Sequence, residues 1–271
     1  MAKIISICNQ KGGTGKTTTV VNLSAALAEK GKRVLIVDLD PQGNATSGVG
    51  VNKNELERSV YDVLLHKLSI EEAVIKGVYP KLDIVPCNIS LTGAEIELVG
   101  VLSRETRLKR ALESVDGNYD FVFIDSPPSL GLLTLNSLVA CQSIIIPIQC
   151  EFYALEGVSQ LINTIGLVRD GLNSNLEIEG VLMTMADFRT NLTNEVISEI
   201  KRYFKDKVYQ SVIPRNIRLS EAPSHGKPIN FYDNQSIGSK KYNCLAKEVL
   251  GESLENSVLE ASSGQEQLKF D

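Results

Sequence analysis

The chain has 271 residues, 43% of them hydrophobic, a formal net charge of −5 and a mean hydropathy of −0.01. This size allows one large α/β domain or two small ones with a substantial core, and no apolar stretch is as long as a membrane-spanning helix requires. The negative charge argues against a surface that binds nucleic acid indiscriminately. The five cysteines form no CxxC pair, which predicts reduced thiols in a cytosolic protein.

Short apolar runs rich in Val and Ile alternate with helical patterns along the chain. The predicted strands are Ile4–Cys8, Val34–Val37, Leu82–Val85, Phe121–Ile124, Ile144–Ile148, Gly180–Met183 and Ser211–Ile213. The predicted helices are Thr17–Lys30, Ala94–Ser114, Leu132–Ala140, Tyr153–Gly171 and Asn191–Phe204. Nearly continuous apolar strands are typical of a parallel sheet covered on both faces. The order predicts a single doubly wound, mostly parallel α/β sheet that binds ligands at the carboxyl ends of its strands.

This pattern predicts one folded domain over residues 1–251. The remaining residues, 252–271, are polar and acidic, and this composition predicts a disordered tail.

A glycine-rich segment lies between the first predicted strand and the first predicted helix. It reads Lys11-Gly12-Gly13-Thr14-Gly15-Lys16-Thr17-Thr18. In a strand–loop–helix unit, glycines let backbone N–H groups surround phosphate oxygens, and the helix N-terminus adds partial positive charge. We expect Lys16 to reach the β- and γ-phosphates and the Thr17 hydroxyl to ligate Mg²⁺. Lys11 is not needed by an ordinary P-loop and supplies a second cation near the γ-phosphate.

Two further strands end in carboxylates. Asp38 and Asp40 follow one apolar run, and Asp125 follows another. A P-loop needs an acidic partner on a neighbouring strand for the water shell of its metal ion, and Asp125 is interpreted as this Walker B residue. Asp40 precedes a Pro-Gln-Gly turn that suits the positioning of an attacking water. On a strand, Asp38 would face the same side as Asp40. A role in the metal shell and a purely structural role, in strand-end solvation or helix capping, both stay open.

These motifs resemble those of a known family. The stretches KGGTGKTT, VLIVDLDPQGNATSG and FVFIDSPPSLG are similar to the deviant Walker A, Walker A′ and Walker B motifs of the ParA/Soj partition ATPases. The segment from Ile213 to Pro228 is also similar to that family, and the resemblance extends over residues 1 to about 250. It implies a P-loop ATPase domain of the deviant Walker A type over residues 1–251. Because the P-loop strand opens the chain, the small Soj-type members are the most similar.

The resemblance implies a weak ATPase that converts ATP to ADP and phosphate with Mg²⁺. Two subunits would sandwich two ATP molecules, and Lys11 would cross to the partner's nucleotide, as an arginine finger does in trans. Lys16 and Asp40 would be the other catalytic residues. The phosphates would be bound by Lys11, Gly12, Gly13, Thr14, Gly15, Lys16, Thr17 and Thr18.

The resemblance also implies the metal and base contacts. The metal set would be Thr17, Asp40 and Asp125. Pro214 and Asn216 match the segment that contacts adenine.

The C-terminal part of the chain is its electropositive half. Residues 181–251 contain eleven basic and seven acidic residues, an excess of four in a chain of net charge −5. No recognition helix or aromatic interleaving is evident, so the pattern favours sequence-independent binding of duplex DNA, with ordinary solvated helix faces as the alternative. Arg189 and Arg218 match positions tied to DNA binding in Soj-like proteins. The candidate DNA-binding residues are Arg189, Lys201, Arg202, Arg218, Lys240 and Lys241.

The function implied is chromosome or plasmid partition by an ATP-dependent homodimer. The dimer would bind non-specific double-stranded DNA and be released by hydrolysis, which a ParB/Spo0J-type centromere-binding protein would stimulate. A cytoplasmic, nucleoid-associated protein that binds no membrane is expected.

Two other classes of protein share this P-loop. A MinD-like membrane-surface or cargo-positioning ATPase would carry a basic amphipathic C-terminal helix, whereas residues 251–260 read GESLENSVLE and are acidic. An electron-transfer or metal-carrier ATPase would carry paired cysteines at its dimer interface, whereas Asp125 is followed by Ser126, Pro127 and Pro128. The partition ATPase is therefore favoured.

Overall fold

The computed structural model describes residues 1–151 and 154–253, without the side chains of residues 154–157. In this part of the chain, eight strands form one sheet with the order β3-β4-β2-β5-β1-β6-β7-β8. All neighbours are parallel except β3, which is antiparallel to β4. The prediction of a mostly parallel sheet is confirmed. The strands are β1 (Lys3–Ile7), β2 (Val34–Asp38), β3 (Ile75–Tyr79), β4 (Leu82–Val85), β5 (Phe121–Asp125), β6 (Ser143–Gln149), β7 (Glu177–Ala186) and β8 (Val208–Pro214).

Helices cover both faces of the sheet. They are α1 (Lys16–Glu29), α2 (Asn44–Gly48), α3 (Val60–Leu64), α4 (Ile70–Ala73), α5 (Leu91–Glu97), α6 (Arg107–Leu112), α7 (Leu132–Ala140), α8 (Ala154–Gly171), α9 (Asn191–Phe204), α10 (Ile217–Glu221), α11 (Ile229–Tyr232) and α12 (Ile237–Val249). Short 3₁₀ turns lie at Leu98–Gly100, Arg104–Thr106, Lys205–Lys207 and Ala222–His225. Among the described residues, no helix is both long enough and apolar enough to span a membrane.

The core has two layers, one on each side of the sheet. Helices α3 to α9 pack on one face, and α1, α2 and α10 to α12 pack on the other. Along β2, Leu35 and Val37 point into the first layer while Val34 and Ile36 point into the second. Because both faces are buried, the central strands β2 and β5 are apolar at every position before their final aspartate, which explains their sequence pattern.

The predicted helix Ala94–Ser114 is wrong as a single element. The chain leaves α5 at Glu97, makes a 3₁₀ turn that ends at Gly100, and is extended at Val101. Ser103 then adopts a left-handed conformation (φ 54°) before α6 begins at Arg107. A residue with positive φ cannot continue a right-handed helix, so the segment divides in two.

Strand β3 and helix α12 were absent from the sequence prediction, as were the short helices α2, α3, α4, α10 and α11. Strand β3 forms a hairpin with β4, although two of its five residues are exposed. Helix α12 buries Tyr242, Leu245, Ala246 and Val249, an i, i+3, i+4, i+7 spacing that is a recognisable helical signal. The predicted tail lies almost wholly outside the described residues, which end at residue 253.

Candidate functional site

The glycine-rich loop lies between the carboxyl end of β1 and the first residue of α1. Gly13 (φ 75°) and Gly15 (φ 87°) are left-handed, a conformation that glycine adopts without a Cβ clash. A Cβ added at Gly12 or Gly13 would meet no atom within 4 Å, so this side of the loop is open. The loop therefore presents backbone N–H groups and the N-terminus of α1 to an open space, as phosphate binding requires.

Two side chains that sequence reasoning missed hold this loop. The Asn9 amide donates to the Pro147 carbonyl (2.7 Å), and its oxygen accepts from the Lys11 N–H (3.0 Å). The Thr184 hydroxyl, on β7, donates to the Thr14 carbonyl (2.9 Å). The loop is thus attached to the ends of β6 and β7. Asn9 adjoins the motif, but nothing in the sequence signals Thr184.

The two lysines of the loop differ in environment. Lys16 is 7% exposed and its ammonium donates to the Lys11 carbonyl (3.1 Å). Burial lowers the pKa of Lys16, an effect that the charge of Asp125 opposes. Lys11 is 40% exposed and forms an ion pair with Glu151 (Nζ–Oε2 3.2 Å). Glu151 also accepts from Arg215 (3.1 Å), so it joins two cations at the edge of the site.

The predicted carboxylates meet at the ends of β2 and β5. Asp38 and Asp125 are register partners and both are fully buried, whereas Asp40 is 7% exposed in the turn after β2. Neither carboxylate oxygen of Asp125 has a hydrogen-bond partner. Burial, and then the charge of Asp38, raise the pKa of Asp125 well above its ordinary value. The Thr17 hydroxyl lies close enough to the Asp125 carboxylate to oppose this rise in pKa.

This arrangement suits Mg²⁺. Among the described residues no group of three or more His, Cys, Asp or Glu side chains could hold a metal by itself. Mg²⁺ is usually bound by one or two carboxylates, waters and substrate phosphates, so a complete protein cage is not required. A buried carboxylate with two free oxygens next to the Thr17 hydroxyl provides the hard oxygen ligands that this ion prefers. Thr17, Asp40 and Asp125 are placed at this end of the sheet, as the sequence predicted.

Asp38 differs from the other two aspartates. Its oxygens accept from the Asp40 N–H (3.2 Å), the Thr46 N–H (2.8 Å) and the Thr46 hydroxyl (2.7 Å). Burial raises the pKa of Asp38 to about 6, and these hydrogen bonds oppose that shift. Strand β2 ends at Asp38, whose side chain faces Thr46. That Asp38 and Asp40 share a side stays a prediction.

A cavity of about 450 Å³ adjoins the P-loop on the side of β7 and β8. Pro214 and Asn216 line it together with Gly15 and Thr18, so the predicted adenine segment and the predicted phosphate loop border one space. The Asn216 side-chain oxygen accepts from the Leu219 N–H (3.2 Å) and caps α10. Its amide group remains the part of this side chain that is available to a base.

The two arginines proposed for DNA lie in segments that follow β7 and β8. Arg189 is 87% exposed and pairs with Asp187 (Nη2–Oδ2 2.6 Å). Hydrogen bonds from Arg189 lower the pKa of Asp187 to about 2. Arg218 is 54% exposed and contacts Glu221 (2.9 Å) and Asp233 (3.4 Å). Both guanidinium groups therefore reach solvent while paired with carboxylates of the same chain.

The four other DNA candidates do not form one patch with each other. Lys201 and Arg202 lie in the last turn of α9, whereas Lys240 and Lys241 lie in the first half of α12. These helices pack on opposite faces of the sheet. The excess of positive charge in residues 181–251 is thus distributed over two sides of a protomer.

Comparison with known proteins identifies the family. Residues 2–178 match the family model described as AAA_31, an AAA domain. The chain is 61% identical over 249 residues to the sporulation initiation inhibitor protein Soj of Bacillus subtilis, covering 92% of this chain and 98% of that protein. This chain belongs to the ParA/Soj family. A second ParA/Soj relative, the chromosome partitioning protein ParA of Myxococcus xanthus, is 50% identical over 250 residues, with 92% and 88% covered.

The fold of this ParA/Soj chain is also similar to a solved structure that contains nucleotide. The crystal structure of cobyrinic acid a,c-diamide synthase from Mycobacterium smegmatis with bound ATP analog and magnesium has a TM-score of 0.82. It is 36% identical and covers all of both chains. The family and the doubly wound fold predicted from the sequence are confirmed.

Proposed function

We propose that this chain is a partition ATPase that binds ATP and Mg²⁺ at the P-loop and hydrolyses ATP to control its attachment to DNA. The observation that carries the proposal is the open glycine loop beside the buried, unpartnered Asp125 carboxylate and the cavity of about 450 Å³. The identities of 61% to Soj and 50% to a chromosome partitioning ParA favour partition over other uses of this fold. The similarity to the amide-forming enzyme is lower, at 36%.

Each residue of the site has a role in this proposal. Backbone N–H groups of residues 12–18 and the Lys16 ammonium bind the phosphates. Thr17, Asp40 and Asp125 hold Mg²⁺, which supplies neutralisation of phosphate charge when bound. Asp40 orients the attacking water. Pro214 and Asn216 contact adenine.

Dimerisation completes the proposed site. Lys11 is half-exposed at the rim, so its ammonium is accessible to a nucleotide held by a second copy of the chain. A cation supplied in trans stabilises transition-state charge only in the dimer, which links hydrolysis to assembly. We propose a ParB/Spo0J-type protein as the activator of this step, in the cytoplasm at the nucleoid.

Non-specific duplex DNA is the proposed ligand of the ATP dimer. Arg189 and Arg218 are exposed and follow adjacent strands, and a dimer would present two copies of each. Because affinity for DNA rises steeply with the number of neutralised phosphates, doubling the contacts makes binding depend on nucleotide.

The test is binding of the Asp40→Ala protein to arbitrary duplex DNA with ATP and with ADP at two salt concentrations. Loss of hydrolysis should trap the ATP dimer, so strong, salt-sensitive binding is expected with ATP alone. Absence of DNA binding with either nucleotide would contradict the partition proposal. Binding of the same protein to anionic liposomes instead would favour the MinD-like alternative.

A further inference from the structure

A buried hydrogen-bond network joins the two ends of a loop that contains Asp40. We define this Asp40 loop as residues 39–45. Asp38 precedes the loop and Thr46 follows it, and the Asp38 carboxylate accepts both the N–H and the hydroxyl of Thr46 (2.8 and 2.7 Å). Asp38 and Thr46 are both fully buried. Because hydrogen bonds to a buried charged group are strong, this pair closes the loop.

Thr46 also connects the loop to the neighbouring strand. Its hydroxyl oxygen accepts from the Cys87 N–H (2.9 Å), just beyond the end of β4. The middle of the loop lies against the same backbone, since a Cβ added at Gly43 would be 2.7 Å from the Cys87 carbonyl oxygen. One hydroxyl group therefore joins the end of β2, the middle of α2 and the end of β4.

Asp40 depends on this framework for its position. Its backbone N–H donates to Asp38 (3.2 Å), and its carboxylate accepts from the Gln42 N–H within the same loop (2.9 Å). These hydrogen bonds place the Asp40 carboxylate relative to the loop, while Asp38 and Thr46 place the loop relative to the sheet. An error of about 1 Å in a catalytic group can reduce turnover about a hundredfold.

We propose that Thr46 is a positioning residue, which holds the Asp40 loop in the geometry needed for hydrolysis and contacts neither nucleotide nor metal. This rests on the proposed ATPase function. The Asp38 carboxylate, whose oxygens already accept three hydrogen bonds, belongs to the same framework, whereas Asp125 keeps both oxygens free.

The test compares Thr46→Val, which keeps the shape of the side chain, with Thr46→Ser, which keeps the hydroxyl. Hydrogen–deuterium exchange of the nucleotide-free protein is expected to be about tenfold faster in residues 39–46 of Thr46→Val and unchanged in Thr46→Ser. The kcat for ATP is expected to fall about tenfold or more in Thr46→Val, with KM within about threefold of the wild type, and to recover in Thr46→Ser.

Thr193→Val is the matched control, because the Thr193 hydroxyl is also buried and accepts a backbone N–H, that of Asp187 (3.3 Å). It should leave the exchange of residues 39–46 and the kcat unchanged. Equal losses in Thr46→Val and Thr46→Ser, or unchanged exchange in Thr46→Val, would overturn the proposal.

The remaining outcomes are also decisive. If Thr46→Val does not fold, hydrogen–deuterium exchange of the wild-type protein tests the network instead. The Thr46 N–H donates to Asp38 and the Cys87 N–H donates to Thr46, so both amides are expected to be protected from exchange. Exchange of either amide at the rate of an open loop would refute the network. Lack of ATPase activity in the wild type would refute the proposed function, while exchange in the nucleotide-free proteins would still test the framework.

Discussion

The ion pairs of Arg218 provide the sharpest test of the proposed DNA surface. Its guanidinium group contacts Glu221 at 2.9 Å and Asp233 at 3.4 Å, and Glu221 also accepts from the Tyr232 hydroxyl (3.1 Å). A DNA phosphate that approaches Arg218 therefore meets two carboxylates that repel it. We predict that Glu221→Gln strengthens DNA binding and that Arg218→Ala weakens it.

The structure sets the size of these effects. Arg218 and Glu221 are 54% and 40% exposed, so solvent screens their attraction and the pair is weak. Removing the Glu221 charge is expected to tighten binding about two- to fivefold for each protomer at low salt. Arg218→Ala removes one phosphate contact from each protomer. The slope of log K against log salt should therefore fall by about 0.9 for each contact, or about 1.8 for a dimer.

The assay is a salt titration of duplex DNA binding with ATP, carried out in the Asp40→Ala background. Glu113→Gln is the control, because it removes the same charge at another exposed residue. Glu113 directly follows α6 and is distant in sequence from Glu221. If Glu113→Gln and Glu221→Gln strengthen DNA binding equally, the effect comes from net charge and not from the ion pair of Arg218. An unchanged salt slope in Arg218→Ala would show that Arg218 is not at the DNA surface.

Three further substitutions test the nucleotide site. Lys16→Ala should weaken ATP binding about 10- to 100-fold, because a charge-assisted contact with the phosphates is lost; unchanged affinity in calorimetry would contradict the phosphate assignment. Thr184→Val should weaken binding of a fluorescent ATP analogue about fivefold or more by releasing the Thr14 carbonyl, and Thr184→Ser should restore it. Gly43→Ala should lower the free energy of unfolding in urea by about 1–3 kcal/mol, since φ is 60° and its Cβ would meet the Cys87 carbonyl; wild-type stability would refute this steric argument.

Most of the sheet could be predicted because its central strands are buried on both faces, so that β2 and β5 are apolar at every position before their final aspartate. Helices α7 and α9 begin and end at the residues that the sequence pattern predicted. The prediction of one helix over residues 94–114 was wrong because the helical periodicity of the sequence continues across the break between α5 and α6. Ser103 lies within this break, and serine is not a residue type that indicates its left-handed conformation.

The phosphate site could be predicted because its residues are contiguous along the chain. Lys11 to Thr18 form one loop, and Asp40 and Asp125 each follow an apolar strand. The supporting contacts could not, because they join distant segments, as Thr184 joins Thr14 and Thr46 joins Cys87. No sequence spacing predicts such pairs, because only the folded sheet brings these distant segments together.

Glu151 shows how such a distant contact bears on the proposed trans role of Lys11. The Glu151 carboxylate forms ion pairs with Lys11 and Arg215, and Arg215 also lines the cavity of about 450 Å³ beside the P-loop. Lys11 and Glu151 are 40% and 42% exposed, so their ion pair contributes only about 0.2–1 kcal/mol. A charge-assisted hydrogen bond to a phosphate contributes about 1.5–3 kcal/mol. The partner's nucleotide would therefore displace Glu151 from Lys11 at little cost in free energy, so this ion pair is compatible with the proposed trans role of Lys11.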